Sequence, residues 1–139
     1  MKPKIPNYKV IKDTREQDGW VFSEYDKCDG MEIATLHTGD YTIEGFDDVV
    51  CIERKACASE IAMNLGKKKG AFNAEMQRMK DYPFSFLICE FSMDDVLKYP
   101  IGSRVPQKLR SQVRITGKYL LKCLIEFQIW YDTKILSCY

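Results

Sequence analysis

Gly39-Asp40-Tyr41-Thr42-Ile43-Glu44-Gly45-Phe46-Asp47-Asp48-Val49-Val50-Cys51-Ile52-Glu53-Arg54-Lys55 is the stretch that decides how this chain reads. Two β-rich runs, 41–44 and 49–53, flank a short loop of Gly and Asp residues, which predicts a hairpin. With 45–48 as the loop, Glu44 faces Val49, and the same register sets Asp40 opposite Glu53. Cβ atoms of such a pair lie roughly 4.5–5.5 Å apart. Strand side chains alternate, so Glu53 and Lys55 share a face while Arg54 points the other way. Asp40, Glu53 and Lys55 therefore converge on one spot. Two like charges about 4 Å apart repel by roughly 4 kcal/mol at an effective dielectric near 20. A neighbouring Lys offsets part of that, and a divalent cation offsets more. Hard oxygen donors without a His or thiol cluster favour Mg²⁺ or Mn²⁺.

Upstream, Tyr8–Asp13 predicts a short strand ending at Thr14-Arg15-Glu16, and Asp13 adds a third carboxylate beside the pair. Residues 18–30 carry Trp20, Phe22 and Tyr25 and predict a short helix, and Met31–Leu36 a second strand. Downstream, Ser59–Leu65 reads as a helix capped by Ser59 and stopped by Gly66. Lys67-Lys68-Lys69 between two glycines reads as a loop, either merely mobile or able to close on a phosphate backbone. Phe72, Met76 and Met79 recur at helical spacing within Ala71–Asp81, which Pro83 ends. Phe84–Phe91 is an almost continuous apolar run, the pattern of a central buried strand. Met93–Tyr99 predicts a short helix, Pro106–Glu126 a long one, and Phe127–Tyr131 a last strand. Strands followed by alternating helices and strands make an α/β domain, a mixed sheet with helices packed on it.

The 139 residues suit one domain, with a motif core about 8–91 and the basic helix and last strand about 104–131. A composition 45% hydrophobic and 29% charged excludes a disordered or collagen-like chain. No run approaches the roughly 20 apolar residues of a membrane helix, so no membrane association is expected. Six cysteines without CxxC spacing read as buried thiols of an intracellular, reducing compartment, cytoplasm or nucleus. The net charge of +1 hides an asymmetry: residues 1–60 hold 8 Lys/Arg against 13 Asp/Glu, and residues 61–139 hold 13 against 7. That division suits a cation held by one part and an anionic substrate held by the other.

A Lys two residues after a metal-binding Glu is what phosphodiester hydrolysis requires. The cation neutralises phosphate charge and acidifies a water, and the Lys orients that water. The alternative is a charged strand end beside an ordinary hairpin. Asp13-Thr14-Arg15-Glu16, Gly39-Asp40-Tyr41 and Ile52-Glu53-Arg54-Lys55 resemble, in order, the three motifs of the XPF-type structure-specific nucleases, and Leu87–Phe91 resembles the family's next core strand. The resemblance spans about 8–131. It implies a restriction-endonuclease-like fold and metal-dependent endonuclease action on branched or flapped DNA. It also implies Asp13, Asp40 and Glu53 as metal ligands, with Lys55, Arg15 and Arg54 supporting catalysis. Two features depart from the family: Ser59 stands where it usually has an Asp, with Glu60 next, and no tandem helix-hairpin-helix domain of the kind that often follows is expected within these residues. These departures leave a catalytically inactive module, binding DNA or docking a partner, as the alternative.

Residues 98–122 contain seven cations and no acid. Arg110, Arg114, Lys118 and Lys122 recur every four residues, a stripe on the expected long helix. Such a stripe is either the solvated side of a core helix or a track of phosphate contacts. Leu120, Leu121, Leu124, Ile125, Phe127, Ile129 and Trp130 crowd the region after it. That crowding points to a homodimer or heterodimer interface, or to a further C-terminal helix covering it. His37, the only histidine, reads as structural.

Overall fold

A computed structural model describes residues 1–138. In chain order the elements are β1 (Tyr8–Asp13), β2 (Cys28–Ala34), β3 (Tyr41–Ile43), β4 (Val50–Lys55), α1 (Ala58–Leu65), α2 (Lys69–Met79), β5 (Phe84–Cys89), α3 (Met93–Lys98), a 3₁₀ turn (Gln107–Gln112), α4 (Gly117–Tyr131) and β6 (Lys134–Ser137). The strands form one sheet in the order β2-β1-β3-β4-β5-β6. β3 runs antiparallel to both β1 and β4, and the other neighbours are parallel. This is the mixed α/β sheet expected from the pattern.

The hairpin keeps the register read from its loop: Tyr41 faces Ile52, and Phe46 N–H donates to the Ile43 carbonyl at 2.8 Å. Alternation then sorts the two inner strands. Cys51, Glu53 and Lys55 of β4 and Ser85, Leu87 and Cys89 of β5 are buried, while Val50, Ile52 and Arg54 stay partly exposed. Ile61, Phe72, Met76, Met79, Leu120, Leu124 and Phe127 from α1, α2 and α4 join that buried set in one core. Each such side chain contributes roughly 1.5–3 kcal/mol on burial. β5 does lie inside the sheet, but Phe84 is exposed and Phe86 only half-buried, so its apolar run is covered on one face rather than two.

Tertiary packing overrides several local expectations. Residues 18–27 run as turns instead of a helix. Trp20 stacks on Tyr41 with ring centroids 4.8 Å apart, and Phe22 meets the same ring nearly edge-on. Their aromatic area covers β3, a gain that a short isolated helix cannot match. The long helix expected from Pro106 to Glu126 is two elements: the 3₁₀ turn at 107–112, then α4 from Gly117. The Thr116 hydroxyl accepts the Tyr119 N–H at 3.2 Å, and any Cβ at position 117 would collide with the Val96 and Leu97 carbonyls. The close crossing of α3 and α4 thus fixes where α4 starts. The strand expected at 127–131 is the end of α4, where Phe127 meets Phe72 at 5.4 Å. The last strand is β6, bound to β5 and tied to it by Ser85 and Thr133 hydroxyls 3.0 Å apart.

Smaller corrections concern α1 and α2. Cys57 occupies the N-cap of α1, so Ser59 does not cap it, and its buried hydroxyl finds no partner. Lys69 opens α2 with Gly70 inside its first turn, so only Lys67 and Lys68 remain in the connection.

Candidate active site

Asp40 stands where β3 begins, and the residue before it sets its aim. Gly39 has φ +83°, and a Cβ there would lie 2.7 Å from Cys51 Sγ and 3.0 Å from the Ile52 carbonyl. Only glycine fits both the left-handed backbone and that approach. The main chain of Asp40 donates to Ile52 and accepts from Asp13 N–H, both at 2.8 Å. Its carboxylate accepts the Arg54 backbone N–H, also at 2.8 Å. Asp40 is thereby stitched between β1 and β4.

Glu53 and Lys55 lie on the buried face of β4, 6% and 7% exposed, with Lys55 Nζ donating to Glu53 Oε1 at 2.7 Å. Nζ also sits 5.6 Å from the Phe72 ring centre. Burial, reinforced by Glu53, pushes Asp40 up to about 7. Burial also raises Glu53, opposed by Lys55 and assisted by Glu75. Lys55 shifts up because its attraction to Glu53 overcomes the cost of burial. A half-buried and a buried carboxylate, reluctant to ionise together and braced by one ammonium, form an oxygen-only donor pair that a hard cation would relieve.

Two clefts meet at this pair. One, of about 380 Å³, is bounded by Asp40, Glu53, Arg54, Lys55, Glu60 and Arg104, among others. The other, of about 200 Å³, brings Asp13, His37, Glu75 and Arg78 beside Asp40 and Glu53. Among the described residues no three His, Cys, Asp or Glu side chains are gathered as a ready-made metal cage. Two carboxylates suffice for Mg²⁺, which usually keeps several waters and is bound through one or two carboxylates plus substrate phosphate.

Asp13 and both arginines are held elsewhere. The Asp13 carboxylate takes the Arg15 backbone N–H at 3.0 Å, Arg15 Nε at 2.7 Å, a third Arg15 nitrogen at 3.3 Å and Leu36 N–H at 2.8 Å. Burial pushes it up, but these donors win and hold it below the ordinary carboxylate range. Arg54 makes a two-pronged pair with Glu90, both contacts at 2.8 Å, and reaches Glu16 at 3.5 Å. The Trp20 indole also donates to Glu90. Glu90 raises Arg54 and is itself lowered by it. Arg15 and Arg54 line the larger cleft with their guanidinium groups already engaged.

The basic candidates do not form one track. Arg110 lies in the 3₁₀ turn with Nε on the Val105 carbonyl at 3.1 Å, and Arg114 lies in the irregular stretch after it. Lys118 and Lys122 ride on α4, the latter 3.7 Å from Glu126. Lys67 and Arg114 border a separate apolar groove with Met63, Val113 and Ile115. Lys68 and Lys69 are exposed where α2 begins.

Sequence reasoning passed over Glu75 and Arg78, noted Glu60 only as the neighbour of Ser59, and counted Arg104 only among the cations of 98–122; all four line the two clefts. Glu75 had a signal: it falls three residues after Phe72 and four before Met79, a charge beside the apolar stripe of α2. Glu60 sits on the first turn of α1, its carboxylate accepting Ala56 N–H at 3.2 Å. Arg78 Nε donates to the Thr38 hydroxyl at 3.0 Å. Nothing local marks Arg104, which reaches the cleft through the course of its loop.

The family model for the ERCC4 domain matches residues 12–138. No curated protein matches the chain. Among solved structures, XPF from Aeropyrum pernix superposes with a TM-score of 0.63 at 23% identity, over 93% of this chain and 55% of that one. XPF from the same organism in complex with DNA gives 0.63 at 22% identity, over 95% of this chain and 56% of that one. The chain thus spans little more than half the length of these proteins, and at such identity the likeness establishes the fold. Since the family match runs almost from end to end, the chain belongs to the ERCC4 domain family, the XPF-type nuclease family whose three motifs it carries.

Proposed function

We propose that this domain is a divalent-metal-dependent endonuclease that hydrolyses DNA phosphodiester bonds, at branched or flapped structures. One observation carries the reading: the hairpin packs half-buried Asp40 beside buried Glu53, with Lys55 on Glu53, at the meeting point of two open clefts. A similarly folded protein has been solved with DNA. Asp40 and Glu53 would hold Mg²⁺ or Mn²⁺, which supplies charge neutralisation at the phosphate and acidification of a water. Lys55 keeps Glu53 in place and presents an ammonium where that water would be oriented. Arg54, locked to Glu90, fixes the β4 backbone so that its N–H points at Asp40. Asp13 would join the ligands only by exchanging its Arg15 bonds; as it stands it clasps the 13–15 turn against Leu36.

That occupied Asp13 favours a second reading, a catalytically silent module of the same fold that binds DNA or docks a partner. The reading also includes pairing with a second nuclease-fold chain through α4. Leu120, Leu124 and Phe127 are buried within the chain, leaving Ile125, Ile129 and Trp130 as the apolar remainder. Light scattering at micromolar concentration tests the homodimer.

Incubation with branched, flapped and linear DNAs, with and without Mg²⁺ or Mn²⁺, tests the activity. Metal-dependent cleavage is expected, and Asp40→Ala or Glu53→Ala should reduce it by roughly 10³-fold or more, about 4 kcal/mol of barrier. Near-normal cleavage in the double variant would refute the assignment. No cleavage by the wild type, with DNA still bound, would establish the silent module.

A further inference from the structure

The larger cleft carries nearly balanced charge, yet its cations are not equivalent. Arg15 is bound to Asp13, Arg54 to Glu90 and Lys55 to Glu53. Arg104 also lines this cleft, and it is exposed. Among the described residues it is the one cation there with no carboxylate partner. An anion entering beside Asp40 and Glu53 meets their negative charge first, so it needs a positive group not already spent. A guanidinium suits that task because its planar fork matches two phosphate oxygens at once.

The loop is held in a shape that presents this side chain. Gly102 takes φ +74°, turning the chain just before it. The Ser103 hydroxyl donates to the Pro100 carbonyl at 2.6 Å and accepts Val105 N–H at 3.2 Å. Arg110 closes the other side, its Nε donating to the Val105 carbonyl at 3.1 Å. Both neighbours of Arg104 are therefore pinned while its own side chain is left without a bond. Arg110, half-buried and committed to the loop, is poorly placed to serve as an independent phosphate contact.

Resting on the nuclease reading of the cleft, we infer that Arg104 binds a backbone phosphate of the nucleic acid beside the carboxylate pair, and that Arg110 is a positioning residue acting through it. The strand leaving the cleavage site then passes over residues 100–105 rather than along α4. Lys118 and Lys122 lie on α4, outside that path.

The test measures binding of the intact domain to a flapped duplex in metal-free buffer, by anisotropy over a salt series, alongside cleavage with Mg²⁺. Arg104→Ala should weaken binding about ten- to hundred-fold and flatten the plot of log K against log salt by about 0.9. Its melting temperature should not move, since the exposed side chain makes no hydrogen bond or ion pair among the described residues. Arg104→Lys should restore the slope but only part of the affinity, a point charge replacing a fork. Arg110→Ala should lose the same single unit of slope, and the double variant no more than Arg104→Ala alone. Losses that add to about 1.8 would overturn the positioning role, because Arg110 would then be a contact of its own. Cleavage and binding by Arg104→Ala equal to wild type would overturn the phosphate role while leaving the carboxylate site standing. Wild-type protein that neither binds nor cuts DNA would overturn both the nuclease reading and this inference.

Discussion

The β3–β4 hairpin and the segment 98–131 carry opposite charge, and they are held together in opposite ways. In the hairpin, the residues that matter are partners across adjacent strands or neighbours on one strand: Asp40 on the Arg54 N–H, Tyr41 facing Ile52, Glu53 holding Lys55 two positions on. In the basic segment, shape comes from distant packing: α3 against Gly117, and Phe72 against Phe127. A local register can be worked out from a loop length. A long helix cannot be trusted from four-residue spacing when other elements can interrupt it. The carboxylates are consequently rigid and concentrated, whereas the cations are spread over a turn, a loop and a helix.

The largest test of this contrast is Arg54→Ala. It removes the two-pronged pair and leaves Glu90 and Glu16 partly buried without their cation, so stability should fall by about 2–4 kcal/mol in urea unfolding. A loss below 0.5 kcal/mol would show that the hairpin is not braced from outside. Next comes a matched pair of glycines, both at positive φ. Gly39→Ala adds a clash to left-handed strain and should cost about 2–3 kcal/mol. Gly102→Ala meets open space and should cost about 1 kcal/mol. Equal costs would erase the distinction between a crowded hairpin and an open loop.

A pH comparison separates charge from packing. Asp40 is raised from 3.8 to about 7 in the fold, so between those values the folded state binds the extra proton. Its contribution to stability is therefore greatest below about pH 4 and is lost as pH rises toward 7. Metal-free Asp40→Asn should melt progressively higher than wild type across that window, with a constant gap above it. A gap independent of pH would mean that Asp40 ionises freely. The smallest effect belongs to α4: Lys118→Ala with Lys122→Ala should change stability by less than about 0.5 kcal/mol. It should also flatten the salt dependence of DNA binding by less than one unit. A fall near 1.8, two full contacts at about 0.9 each, would restore the stripe as a phosphate track.

Much of the sheet was readable because strands advertise themselves locally. Tyr8–Asp13 matches β1, and β3, β4 and β5 lie where β-rich runs and turn residues put them. The helix at 71–81 was betrayed by Phe72, Met76 and Met79, which are its buried residues. The failures have a common cause. Trp20 and Phe22 found Tyr41, Gly117 had to clear two α3 carbonyls, and Phe127 continued a helical repeat although its neighbours favour strands. Each depends on a surface supplied from elsewhere in the chain.

By itself the sequence determined the hairpin, the order of the motifs and the juxtaposition of Asp40, Glu53 and Lys55, because a two-residue side-chain period and a short loop leave one register open. Only the tertiary structure decided the rest of the site. Glu75 arrives from α2, Glu60 from α1 and Arg104 from a loop some fifty residues after Glu53. It also decided that Arg54 faces Glu90 and that Asp13 is taken by Arg15 and Leu36. Those pairings are chosen by which elements pack together, and burial sets how strongly each pair is felt; neither is written in the spacing of the residues involved.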